Sequence, residues 1–320
     1  MAPWLLTLLL IYDMKKSAYS VLLTKSSPPS FASKLIYRSL KLLKISNKIF
    51  TKLLSNPDRG TNHLSPDKFS GKLLVTESLL DGFKIVSASK KDCTNKHILL
   101  FHGGVYIGEA SKGHRQLVER LALSGFMVSF MDYPLSPENN ALITISWVEK
   151  AFNKMVKEYP NDIFFLFGDS AGGGLALALL QILKNNNNRH IPLKTVLVSP
   201  WLDISMTNPD ILDYISKDVL LSYEGLKKGG KLYAQDVDVK DPRVSPIYGH
   251  FDNLAEIKIF VSNMELFYPD CLLLKSKLAA APGTTGFLSV KEKMVHDWIV
   301  LPIRERKEIV EEIVEFYNFE

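Results

Sequence analysis

Ser170 carries the chemistry most plainly written in this chain. It lies in Phe167-Gly168-Asp169-Ser170-Ala171-Gly172-Gly173-Gly174, after the apolar run Ile163-Phe164-Phe165-Leu166 and before an Ala/Leu-rich run at 176–183. The first run reads as a buried strand and the second as a helix. A serine in G-x-S-x-G spacing at a strand-to-helix turn stands clear of its sheet, and small neighbours allow the turn to be tight. The serine oxygen then sits at a helix N-terminus, where backbone N–H groups and the helix dipole favour negative charge. Such a hydroxyl is suited to nucleophilic attack on an acyl carbon.

A second glycine turn lies upstream. Ile98-Leu99-Leu100-Phe101 reads as a strand and ends in His102-Gly103-Gly104-Val105-Tyr106. Glycines let a backbone approach a ligand oxygen closely and aim N–H groups at it. In a nucleophile-elbow protein this turn is expected to supply half of an oxyanion hole, the other half being the N–H after the serine. Gly103, Gly104 and Ala171 are the expected donors. His102 reads as a structural residue that hydrogen-bonds the loop, and Gly168, Asp169 and Gly172 as parts of the serine turn.

With these motifs in order, the chain resembles the hormone-sensitive-lipase-like branch of the α/β-hydrolases, from about residue 70 to the C-terminus. His102 to Val105 is similar to its H-G-G-G pattern, with Val105 for the third glycine, and Gly168 to Gly173 matches G-D-S-A-G-G. Asp132-Tyr133-Pro134-Leu135-Ser136-Pro137-Glu138 is similar to D-Y-R-L-A-P-E, departing at Pro134 and Ser136. Ser199-Pro200-Trp201-Leu202-Asp203 and Asp241-Pro242-Arg243-Val244-Ser245-Pro246 also fit. The resemblance implies a mostly parallel central sheet with helices on both faces and a helical cap.

It also implies the rest of a triad, in the order serine, acid, histidine. Met294-Val295-His296-Asp297-Trp298 resembles the late histidine motif, whereas His250 falls in a loop kept for structure. The acid aligns with Glu265, in Ser262-Asn263-Met264-Glu265, where the family has an aspartate and a glycine in place of Ser262. Asp270 is the alternative acid and Asp203 a remote third. Asp297 adjoins His296 too closely in sequence to orient it. The implied chemistry is acyl transfer: His296 deprotonates Ser170, Glu265 holds the imidazole, and water resolves an acyl-enzyme. No metal and no organic cofactor is expected.

Composition agrees with this reading without leading to it. The 320 residues are 46% hydrophobic with a net charge of +5, enough for a large core and too mild to mark a nucleic-acid binder. Cys93 and Cys271 form neither a metal pattern nor a disulfide framework, which points to a reducing, cytoplasmic setting.

The basic charge gathers near the N-terminus. Within 31–54, apolar residues recur at helical spacing while Lys34, Arg38, Lys41, Lys44, Lys48 and Lys52 interleave with no acid among them. Residues 31–68 are therefore expected to be basic amphipathic cap helices, with a peripheral membrane or lipid-interface contact as a compatible second role. Residues 1–30 contain a short apolar run, Trp4 to Ile11 with one threonine, well below the roughly 20 residues that span a bilayer. They are expected to be poorly ordered or a peripheral anchor.

The remaining pattern alternates strands and helices over 69–320, with a long connection at about 204–240 expected to complete the cap. Tyr214, Leu220, Leu221, Leu226 and Tyr233 in it are candidates for a pocket wall or for core contacts within the cap. The expected activity is hydrolysis of small to medium carboxylic esters, acetyl esters included. The alternatives are amide or formamide hydrolysis, or a ligand-binding homologue without catalysis. Oligomeric state has no signature in the sequence.

Overall fold

The computed structural model describes residues 28–44, 46–60 and 62–319. The reading of residues 1–30 lies outside the described residues up to position 27. Eight strands form one sheet, in the order β1-β2-β4-β3-β5-β6-β7-β8. They are β1 (Leu74–Leu80), β2 (Phe83–Ser89), β3 (Lys96–Phe101), β4 (Met127–Met131), β5 (Ile163–Asp169), β6 (Lys194–Val198), β7 (Ala255–Ser262) and β8 (Thr284–Lys291). β1 and β2 pair antiparallel through a turn at Asp81-Gly82, both with positive φ, as a two-residue hairpin requires. β2 also pairs antiparallel with β4, and all later pairings are parallel. This is the α/β-hydrolase architecture.

The central strands read as continuous apolar runs because both faces are covered. Leu99, Leu166 and Leu197 face one core with Leu175, Leu179 and Trp147, while Ile98, Phe165 and Val196 face another with Leu117, Leu121 and Ile309. The first core is closed by α4 (Ala141–Glu158) and α5 (Ala171–Asn185), the second by α3 (Lys112–Leu123) and α8 (Arg304–Asn318). α7 (Tyr268–Ala280) packs beside β7 and β8.

After β3 the chain moves outward to β4, then returns to place β5 on the other side of β3. The carboxyl ends of β3 and β5 therefore flank a topological switch point, where open α/β sheets place their ligand crevices. β3 ends at Phe101, immediately before His102, and β5 at Asp169, immediately before Ser170.

Two helices precede the sheet, α1 (Phe31–Leu43) and α2 (Ser46–Ser55), and α6 (Tyr223–Ala234) lies in the long connection after β6. α1 is capped by Ser30, whose N–H and Oγ both donate to Glu305 on α8. Phe50 of α2 is buried against Gly225 of α6, and Ser222 Oγ donates to Asn47 Oδ1 at 2.6 Å. Of the candidate cap residues, Leu226 and Tyr233 are core, Tyr233 stacking on Tyr106 at 3.7 Å between centroids. Tyr214 instead borders a separate cavity of about 750 Å³ with Asp203, Tyr248 and Asp270.

Candidate active site

Ser170 has φ 50° and ψ −119°, a strained conformation for a residue with a side chain. The surroundings hold it: its N–H donates to Val198 O at 2.9 Å, and its carbonyl accepts from Trp201 and Gly173. The flanking glycines are obligatory here. A Cβ on Gly172 would collide with the Phe101 carbonyl, and one on Gly168 with the Gly172 carbonyl.

His296, in the loop after β8, places Nε2 3.0 Å from Ser170 Oγ. Its Nδ1 lies 2.6 Å from Glu265 Oε2, in the loop after β7. A carboxylate only accepts, so the proton sits on Nδ1 and Nε2 is left to accept from the serine hydroxyl. Ser170, His296 and Glu265 are all buried. Glu265 is held at its other oxygen, where Oε1 accepts from Ser199 Oγ and from the Ser262 N–H, both at 2.8 Å. Ser262 Oγ donates to Met294 O at 2.8 Å and accepts from the Met294 N–H, tying the acid loop to the histidine loop. The longer side chain of glutamate is thus accommodated by a braced loop.

Asp218, in the long connection, accepts from the N–H groups of Leu221 and Leu266. Burial pushes its carboxyl up to about 6, partly offset by His296. Ser199, Ser262 and Asp218 carried no role in the sequence reading. Their long-range bonds, to Glu265, Met294 and Leu266, span 66, 32 and 48 positions, and no local pattern marks such pairs.

The oxyanion loop corrects one expectation. The Gly103 N–H donates to Asp169 Oδ2 at 2.8 Å, so it is committed within the protein and is not a free donor. A Cβ on Gly103 would lie 2.5 Å from that oxygen and 2.9 Å from Ser170 Cβ, so close packing against the serine turn explains this glycine. Gly104, Val105 and Tyr106 follow with φ of 124°, 62° and 60°. Among the described residues, the N–H groups of Gly104, Val105 and Ala171 meet no acceptor. Ala171 opens α5, where the first-turn N–H groups have no intrahelical partner. Val105 packs under the cap: a Cβ on Gly229 of α6 would stand 2.5 Å from Val105 Cγ1 and 3.7 Å from Leu54 Cδ2 of α2.

The other candidates lie where they do not touch Ser170 or His296. His102 Nδ1 donates to Gly103 O at 2.6 Å, and its ring stacks on Tyr133 and Phe130. Burial, with the nearby His114, holds its pKa down at about 4. Asp270 accepts from Asn208 Nδ2 at 2.7 Å, and burial raises it to about 7. Asp203 is bonded to Ser205, Thr207 and Tyr248, and His250 is exposed. A carboxyl oxygen of Asp297 lies within 4.8 Å of one of Asp169, and Asp297 makes no hydrogen bond to the His296 ring. Cys271 is buried.

A strand-borne serine, a histidine and a carboxylate in hydrogen-bonded series at the carboxyl edge of a mostly parallel sheet define a hydrolase-type site. A family model described as the alpha/beta hydrolase fold matches residues 98–300, and the chain belongs to that family. It is 32% identical to an esterase of Acinetobacter venetianus, over 59% of this chain and 63% of the relative. It is 28% identical to an acetyl-hydrolase of Streptomyces hygroscopicus, over 63% and 67%. The chain therefore aligns with about two thirds of each of these curated relatives. A Staphylococcus aureus structure described as a candidate esterase superimposes with a TM-score of 0.74 at 26% identity, over 87% of this chain and 92% of that one. A hormone-sensitive lipase from a metagenome library, at 24% identity and a TM-score of 0.76, shares the fold.

Proposed function

We propose that the protein is a serine carboxylic ester hydrolase. The observation that carries the reading is the continuous series Ser170 Oγ–His296–Glu265, at 3.0 and 2.6 Å, with unengaged N–H groups beside the serine. In this scheme Ser170 attacks the ester carbonyl while His296 Nε2 takes its proton. Glu265 holds the Nδ1–H tautomer and stabilises the imidazolium. The N–H groups of Gly104, Val105 and Ala171 receive the oxyanion, with Val105 taking the place first expected of Gly103. His296 protonates the departing alcohol, and a water then repeats the sequence on the acyl-enzyme. The esterase and acetyl-hydrolase names of the relatives support small acyl groups as substrates. Turnover of p-nitrophenyl esters from acetyl to decanoyl, beside acetanilides and formanilides, tests it. Ester turnover highest with the short acyl chains is expected. Turnover of the anilides alone would move the reading to an amidase, and turnover of none to a binding protein.

We also propose peripheral contact with an anionic bilayer through α1. Phe31, Leu35 and Leu42 recur along one side of this helix and point away from the sheet, being 81%, 54% and 82% exposed. Lys34, Arg38 and Lys41 flank them, and Phe31 to Leu54 holds no acid. A cationic border around an apolar stripe suits an anionic lipid surface. Among the described residues no helix is long and apolar enough to cross a membrane. Flotation of the full chain with phosphatidylcholine vesicles, with and without phosphatidylserine, measures the contact. Binding that requires phosphatidylserine and weakens about tenfold or more in Lys34→Glu/Lys41→Glu is expected. Failure to float with either vesicle removes the proposal.

A further inference from the structure

Asp169 and Asp297 meet beside the catalytic groups, in a place the hydrolytic scheme does not use. Asp169 immediately precedes Ser170 and is wholly buried. Asp297 immediately follows His296, with φ 55°, and is nine-tenths buried. A carboxyl oxygen of each lies with a ring nitrogen of His114 in a group whose members are all within 4.8 Å of one another. Oδ1 of each is buried and meets no hydrogen-bond donor among the described residues. Two ionised carboxylates this close in a buried space repel strongly, so the pair must hold a proton or a cation.

The surroundings choose the proton. His114 Nδ1 accepts the Ser111 N–H at 2.9 Å, which leaves the ring proton on Nε2, donated to Asp169 Oδ2 at 3.0 Å. That nitrogen has no lone pair for a metal ion. His102 donates its own proton from Nδ1 to Gly103 O and is held neutral by burial. Of the other titratable groups around the pair, His296 is engaged with Ser170 and Glu265, and Glu265 adds negative charge. No lysine or arginine among the described residues is bonded to either aspartate.

We infer that Asp297 is an un-ionised carboxylic acid donating to the Asp169 carboxylate, and that this shared proton positions the three catalytic loops against one another. Asp297 belongs to the loop of His296, and Asp169 to the turn of Ser170. Asp169 Oδ2 in turn holds the Gly103 N–H, and with it the oxyanion loop. Burial first, then the Asp169 charge, pushes the Asp297 carboxyl well above its ordinary range, while hydrogen bonds and His114 keep Asp169 low despite its burial. Asp297 is a positioning residue, since it touches none of the reacting atoms. When it ionises at high pH, the two loops repel and the site loosens. This inference rests on the ester-hydrolase reading for its kinetic consequence but not for its protonation.

Two measurements on the full chain test it. Infrared difference spectra, wild type minus Asp297→Asn, recorded across pH should show the carbonyl band of one un-ionised carboxylic acid at neutral pH and persisting above it, where Asp270 has ionised. The dependence of kcat/KM on pH, with p-nitrophenyl acetate, should fall on the alkaline side in the wild type. Asp297→Asn, whose amide donates to Asp169 without titrating, should keep neutral-pH activity within a few-fold and lose that fall. Asp297→Ala should lose about tenfold or more in kcat at every pH. Absence of that difference band at neutral pH overturns the inference, whatever the enzyme hydrolyses. An unchanged alkaline limb in Asp297→Asn overturns the positioning role.

Discussion

At the scale of single residues, the site departs from its family pattern at Ser262, Glu265 and Val105, and the structure gives a physical reason for each. Glu265 reaches His296 because Ser199 and Ser262 grip its far oxygen, and Ser262 does this while bracing Met294. The serine at the usual glycine position is thus part of how a glutamate fits. Val105 holds φ 62°, unusual for a β-branched residue, and its side chain fills the contact with Gly229. Ser199→Ala removes one of two bonds to Glu265 Oε1 in a buried place. It should lower kcat by roughly fivefold to fiftyfold with little change in KM, the size expected for losing one hydrogen bond to a buried charge. Steady-state kinetics on a short ester measure this, and an unchanged kcat would show that Ser262 alone suffices. Ser170 and His296 were legible in the sequence because each sits in a local motif. Glu265 was legible only through alignment to a family pattern. Ser199, Asp218 and the engagement of the Gly103 N–H depend on residues far apart in sequence.

At the scale of elements, the central strands were legible because burial on both faces writes continuous apolar runs, as at Ile98-Leu99-Leu100-Phe101 and Ile163-Phe164-Phe165-Leu166. The Asp81-Gly82 turn likewise marks its hairpin. The two N-terminal helices showed through their 3.6-residue periodicity, but their docking did not. It depends on Gly225 and Gly229, which leave room for Phe50, Leu54 and Val105. Phe50 lies directly over Gly225, so Gly225→Val would force the α2–α6 contact apart. A loss of roughly 1–3 kcal/mol is expected from such overpacking. Calorimetry should show a lowered Tm, and an unchanged Tm would place the helix contact elsewhere.

At the scale of the whole molecule, the order serine, acid, histidine along the chain becomes one site because β5, β7 and β8 all point their carboxyl ends the same way. Parallel pairing was implied by strand–helix alternation, but the register and the neighbours of each strand were not, since no local signal specifies a partner strand. The switch point between β3 and β5 brings the glycine turn to the serine. The buried proton between Asp169 and Asp297 would then join the loops that these strands deliver. The most direct test of the account is kcat for p-nitrophenyl acetate in wild type, Ser170→Ala and Glu265→Gln. The account predicts a loss of at least about ten-thousandfold for Ser170→Ala. For Glu265→Gln it predicts about a hundredfold to ten-thousandfold, because the amide no longer fixes the imidazole tautomer. Ser170→Ala retaining activity within tenfold of wild type would contradict it.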